Sequence, residues 1–281
     1  MLYLGGNESM STSMLIGSAD WNLWPISRDY DEIFPILAAH GISYVELGIY
    51  QPSKELSPQN QTRILDAAKR NDITISALLF SLTDKFWPHG AFSNLKSNFL
   101  TESRIFFQAL DLMSIKYANI WTGVDMPSAD LIQVRETLKK LDALASDFKG
   151  IVSIEYKTDT IFPDGRALAK FLVDFKSLKV LIDTGHAFAL EEDIVELVEY
   201  LDSKNLMGAM HLGDATAGDS DADLPCGRVH DFLPIFSVLN QINYSGSASF
   251  DLYGAATNKS GPGPISILDE SVRYIQSISG N

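Results

Sequence analysis

Short apolar runs alternate along the whole chain with longer stretches in which apolar residues recur every third and fourth position. The short runs are rich in β-branched residues and mostly lead into polar or glycine-bearing segments. They predict strands at 14–18, 43–49, 73–80, 117–122, 151–156, 180–183, 207–211 and 248–252. The longer stretches predict helices at 29–39, 58–70, 100–113, 128–148, 164–175, 191–201, 231–241 and 264–278. A strand followed by a helix, eight times over at intervals of about thirty residues, implies a parallel sheet closed into a (β/α)8 TIM barrel. An open doubly wound sheet is the weaker reading, because no Gly-rich phosphate loop follows the first predicted strand.

Composition fits this picture. The chain has 281 residues, 46% hydrophobic and 21% charged, and a barrel of this kind takes about 250 residues. No low-complexity linker divides it, so one barrel domain spanning 1–281 is expected. The single cysteine, Cys226, rules out an intramolecular disulfide and a thiolate zinc site. The segment Met1–Met10 lacks the basic and apolar regions of a secretory leader, and no apolar run reaches the ~18 residues of a membrane span. A cytoplasmic location without membrane association is expected. The net charge of −14, from 36 acidic and 22 basic residues, argues against a nucleic-acid partner, since no Lys/Arg cluster offers a footprint for phosphates.

In a parallel barrel the active site is built from residues at the C-terminal ends of the strands. Here the last four predicted strands end on Glu155, Asp183, His211 and Asp251. Three carboxylates and an imidazole at one level are ligands for a hard or borderline divalent cation, Mn2+, Mg2+ or Co2+, and would repel one another without it. Lys157 shares a strand face with Glu155, where an ammonium group can polarise a substrate oxygen. His186 follows Asp183 across a Thr-Gly turn and suits a substrate hydroxyl or a second metal. Asp221 and Asp223 lie in an acidic loop that is either plain surface or the donor set of a second cation. Glu46, on the second predicted strand, is a candidate for holding the cavity's hydrogen bonds. Trp21 and Trp121, at the ends of the first and fourth, are candidates for walls of a sugar site.

These motifs resemble the xylose-isomerase-like superfamily of xylose and rhamnose isomerases, keto-sugar epimerases and apurinic endonucleases. The resemblance implies that Glu155, Asp183, His211 and Asp251 surround a divalent metal. Glu155-Tyr-Lys157 is similar to the Glu-x-Lys of the aldose–ketose isomerases. Asp183-Thr-Gly-His186 is similar to their acidic-x-x-His, and Asp221-Ala-Asp223-Leu-Pro-Cys-Gly227 to their second-metal loop. Asp251 suits those isomerases better than the 3-epimerases, which usually carry a second Glu there. The segment from Phe86 to Asn94 resembles the loop before their fourth strand, and His89 within it is the candidate for their ring-opening histidine. The implied activity is aldose–ketose isomerisation of an unphosphorylated sugar, with Glu155, Lys157 and Asp251 catalytic. The alternatives are a keto-sugar epimerase working by proton transfer and a non-catalytic metal-binding barrel. A homo-oligomer is allowed, although the long C-terminal extension of xylose isomerases has no counterpart.

Overall fold

The computed structural model describes residues 14–279, and Met1–Met10, the segment without the pattern of a leader, lies outside the described residues. The expected barrel is present. Eight parallel strands close in sequence order, β1 (Leu15–Ala19), β2 (Tyr44–Ile49), β3 (Thr74–Ser81), β4 (Tyr117–Trp121), β5 (Ile151–Glu155), β6 (Leu178–Asp183), β7 (Met207–Leu212) and β8 (Ser247–Phe250). Around them run α1 (Tyr30–Ala39), α2 (Pro58–Arg70), α3 (Phe99–Met113), α4 (Leu131–Asp147), α5 (Gly165–Leu172), α6 (Ile194–Ser203), α7 (Leu233–Gln241) and α8 (Pro264–Ser279). Among the described residues no helix is long and apolar enough to cross a membrane.

Strand alternation sorts the residues into two shells. Val45, Leu47, Phe80, Ile120, Val152, Ile154, Ile182 and Leu212 point outward and join the helices in one large apolar core. The alternate positions face the barrel axis and include Glu46, Asn119, Ser153, Glu155, His211 and Ser249, all buried polar residues. A separate small apolar cluster of Ala19, Trp21 and Leu79, with Trp24 and Trp121 against it, sits at the barrel mouth. The pattern Ile-Val-Ser-Ile-Glu in β5 is thus a core-facing pair, Val152 and Ile154, interleaved with an axis-facing pair, Ser153 and Glu155.

Several element boundaries differ from the sequence-based expectation, and side-chain caps explain most of them. Asp130 accepts from the backbone N–H of Ile132 and Gln133, so α4 begins at Leu131 and not at 128. Asp193 accepts from Glu196 N–H and starts α6 three residues later than expected. Asp29 and Asp164 cap α1 and α5 in the same way. Part of the acidic excess is therefore placed at helix N-termini, where it satisfies orphan donors and the helix dipole. A short helix at Thr184–Ala189 went unexpected, and its N-cap is Asp183.

Candidate metal centre and its cavity

Strands β5 to β8 bring Glu155, Asp183 and Asp251 around His211, with Asp251 one residue beyond the end of β8; two overlapping trios, Glu155–Asp183–His186 and Asp183–His211–Asp251, each gather ligand atoms within 4.8 Å of one another. His211 is fully buried, and its Nδ1 has no hydrogen-bond partner. That nitrogen faces three carboxylate oxygens, Asp251 Oδ2 at 3.6 Å, Glu155 Oε2 at 3.7 Å and Asp183 Oδ2 at 3.8 Å. These separations are too long for hydrogen bonds. They are slightly wider than the roughly 3.0–3.4 Å between neighbouring ligands of a cation with bonds of about 2.1 Å. A buried, unpartnered nitrogen aimed at three oxygens has the composition and spacing to bind a divalent metal.

The partners behind His211, Asp183 and Asp251 leave one donor atom of each turned inward. His211 Nε2 lies 3.2 Å from Glu46 Oε2, and Glu46 Oε1 accepts from Asn119 Nδ2 at 2.8 Å. Asp183 spends Oδ1 on the N-cap bond to His186 N–H, leaving Oδ2 free. Asp251 Oδ1 accepts the Trp21 indole N–H at 2.8 Å, leaving its own Oδ2 free. Such supports fix ligand orientation in metal sites.

Electrostatics point the same way. Burial first, and then the charges of Asp183 and Asp251, push Glu155 well above the ordinary carboxylate range, against the pull of His211. Burial also raises Asp251, and it raises Asp223 further with help from Asp251 and Asp183. Burial pulls His211 down, but the Glu46 carboxylate outweighs it and holds the imidazole well above its usual value. Without a cation the cluster retains protons; a dication would displace them.

Above the cluster lies a cavity of about 290 Å3, lined by Trp21, Trp24, Tyr50, Trp121 and Tyr253 as aromatic walls and by Glu155, Lys157, His186, Asp223 and Asp251 as polar groups. His186 Nδ1 is 3.0 Å from the Tyr156 carbonyl and 3.4 Å from Glu155 Oε1. Donation from Nδ1 to that carbonyl leaves Nε2 as the acceptor. Lys157 lies over the Trp121 ring and pairs with Asp221, whose side chain is 79% exposed. Burial lowers the ammonium, but the Asp221 hydrogen bond and charge more than restore it, so Lys157 is a cation in the working range.

Not every candidate joins the centre. Asp221 is committed to Lys157. Asp223 lines the cavity, held at a φ of 40° with its Oδ2 accepting from Gly254 N–H at 2.7 Å. A side chain on Gly254 would place its Cβ 2.0 Å from the Asp221 carbonyl oxygen, so only glycine lets the loop sit this close. His89 is exposed and does not line the cavity. Trp21 does more than wall the cavity, since it bonds to Asp251.

Two buried aspartates that hold the surrounding loops were missed in the sequence. Asp125, after β4, accepts from the backbone N–H of Ala91, Phe92 and Ser93 and from Ser93 Oγ, and its carbonyl accepts from Ile161 N–H. It ties the β3 and β5 loops together. Asp214, after β7, accepts from Ala215, Val229 and His230 N–H and from His230 Nδ1, closing the base of the loop that carries Asp221 and Asp223. An Asp a few residues past a strand end, in a stretch without helical period, was the available signal for both.

The family described as xylose isomerase-like TIM barrel matches residues 34–278. The chain belongs to that family. No curated protein matches its sequence. Among solved structures, a 3-keto-D-glucoside 4-epimerase from E. coli aligns at 15% identity and a TM-score of 0.71, over 94% of this chain and 99% of that one. A D-psicose 3-epimerase from Clostridium cellulolyticum H10, determined with D-tagatose, aligns at 16% and 0.73, over 95% and 99%. A probable 3-DHS dehydratase from Bacillus anthracis aligns at 12% and 0.69, over 93% and 98%. At such identities the likeness is one of fold.

Proposed function

We propose that this member of the xylose isomerase-like family is a divalent-metal-dependent enzyme that interconverts an aldose and a ketose of an unphosphorylated sugar. The observation that carries the reading is the unpartnered His211 Nδ1 facing Glu155, Asp183 and Asp251 at the floor of the cavity. Those four residues would hold one Mn2+, Mg2+ or Co2+ ion, which when bound supplies Lewis acidity toward adjacent substrate oxygens.

The chain's own groups do the rest. Lys157, a cation beside Glu155, stabilises negative charge growing on the substrate oxygen. His186 offers Nε2 to a sugar hydroxyl, and the rings of Trp21, Trp24 and Trp121 take the C–H faces of the sugar. Among the described residues Lys157 is the one Lys or Arg that lines the cavity, and Asp221 neutralises it, which disfavours a phosphate. For the same reason we assign Asp221 and Asp223 to the setting of cavity charge and loop position, not to a second metal.

A second reading is a keto-sugar epimerase, with Glu155 and Asp251 as opposed acid and base; the names of the fold relatives favour it. The test is to incubate Mn2+-loaded protein with a panel of aldoses and ketoses in D2O and follow products by NMR. Aldose–ketose conversion is expected. Inversion beside the carbonyl without it transfers the assignment to the epimerases, and no turnover with metal bound leaves a binding barrel.

A further inference from the structure

The aromatic rings of the cavity fall into two groups. Two lie low: Trp21 is bonded to Asp251, and Trp121 carries the Lys157 ammonium 5.7 Å above its ring. The other three form a cup at the rim. Trp24 stands 6.4 Å from Trp21, with Tyr50 5.5 Å from it on a tilt of 49° and Tyr253 6.3 Å from it, nearly perpendicular at 78°. Exposure rises along this path, from 6% at Trp21 to 41% at Tyr253. Core packing does not account for the outer rings, since among the described residues neither Tyr50 nor Tyr253 joins the apolar clusters. Arg28, which does not line the cavity, braces the cup with its guanidinium 4.1 Å from the Trp24 centroid and 5.9 Å from that of Tyr50.

From this arrangement we propose that the cavity takes a reducing disaccharide, with the unit that bears the free anomeric carbon beside Trp21 and Trp121 and the second ring in the cup of Trp24, Tyr50 and Tyr253. This rests on the aldose–ketose reading above and sets the length of its substrate. One sugar unit offers two C–H faces at most, and the two low indoles are enough for it. Three rim rings remain for another unit. That second ring is joined through its own anomeric carbon and cannot open, so it keeps the flat C–H face on which an aromatic side chain rests. Polar groups lie among the cavity's rings, among them Thr83 and Asp221. Asp221 Oδ1 takes Lys157, while among the described residues no hydrogen bond is made to Oδ2. A sugar ring brings hydroxyls to such groups along with its C–H faces, whereas a purely apolar substituent would strip them of water without replacing it.

Alditols test the cup without turnover, because they have no carbonyl to react. Cellobiitol, maltitol and isomaltitol are each sorbitol carrying one closed glucose ring, in different linkages. Calorimetric titration of the Mn2+-loaded protein is expected to show the best of the three bound about 10-fold more tightly than sorbitol, the gain from two ring contacts of ordinary strength. Tyr253→Ala, at an exposed position, removes one of those contacts and is expected to lower that ratio about 3-fold. If none of the three binds more tightly than sorbitol, or if the ratio survives Tyr253→Ala unchanged, the inference is overturned. Failure of every sugar to turn over would instead defeat the aldose–ketose reading, and the alditol affinities, which need no reaction, would still decide whether a second ring is bound.

Discussion

His211 Nε2 lies 3.2 Å from Glu46 Oε2, deep inside the barrel, while the opposite nitrogen of the same ring faces the three carboxylates. A carboxylate behind a ligating imidazole sets its tautomer and raises its basicity. Glu46→Gln should keep the bond to Asn119 and lose the charge. Mn2+ affinity, measured by calorimetry, should fall about 10–100-fold. Unaltered affinity would mean that Glu46 only fills the barrel.

Metal binding should depend on pH in a set direction. Burial, as the largest cause, raises Glu155, Asp251 and Asp223 above the ordinary carboxylate range, and Glu46 raises His211 against the effect of its burial. A group whose folded pKa is raised contributes stability that is complete below its unfolded value and is lost as pH climbs through the folded value. For the carboxyls that loss begins near pH 4, the unfolded range. The metal-free protein therefore loses this stabilisation as pH rises, while a bound dication replaces the protons. The Mn2+-induced rise in Tm should be larger at pH 8 than at pH 5.5, and calorimetry should record proton release. A larger rise at the lower pH would contradict the electrostatic account.

Lys157→Met should separate chemistry from metal binding. We expect kcat to fall about 10²–10³-fold, the scale for removing one group that stabilises developing charge, with Mn2+ affinity little changed. Loss of the ion pair to Asp221 should cost at most about 1 kcal/mol of stability, because Asp221 is mostly exposed. A Tm close to wild type together with wild-type kcat would remove Lys157 from the mechanism.

Asp125→Ala leaves four donors from Ala91, Phe92 and Ser93 without their acceptor. The expected loss is about 3 kcal/mol, read from denaturant midpoints. The carboxylate also fixes the turn whose backbone carbonyl accepts from Ile161 N–H in the β5 loop, so kcat/KM should also drop as that turn loosens. Loss of stability without loss of kcat/KM would confine Asp125 to a structural role.

What the sequence made legible follows from what is local. Strand alternation and strand ends placed Glu155, Asp183, His211 and Asp251 at one level, and the structure gathers them. Helix starts were misplaced where an aspartate cap, such as Asp130 or Asp193, sits inside a segment of suitable helical period. The expectation for Asp221 and Asp223 rested on an acidic loop and its resemblance to a second-metal loop, neither of which can say that Lys157 takes Asp221. Nor could it pair Trp21 with Asp251 or show how Asp125 gathers two loops, since these contacts depend on barrel closure and on the loops' paths. His89 resembled a family position in sequence, but its loop turns it to solvent.

The clasp formed by Asp214 has an evolutionary side. By binding Ala215 at one end and Val229 and His230 at the other, it closes residues 214–230 into a ring whose attachment does not depend on its outermost part. That part, Thr216 to Asp219, is fully at the surface. Lengthening or shortening it leaves the clasp and β7 in place, while the reach of Asp221 and Asp223 over the cavity shifts. The loop is a replaceable part: selection, or a protein engineer, can refit the mouth for a different substrate without reopening the barrel that holds the metal ligands.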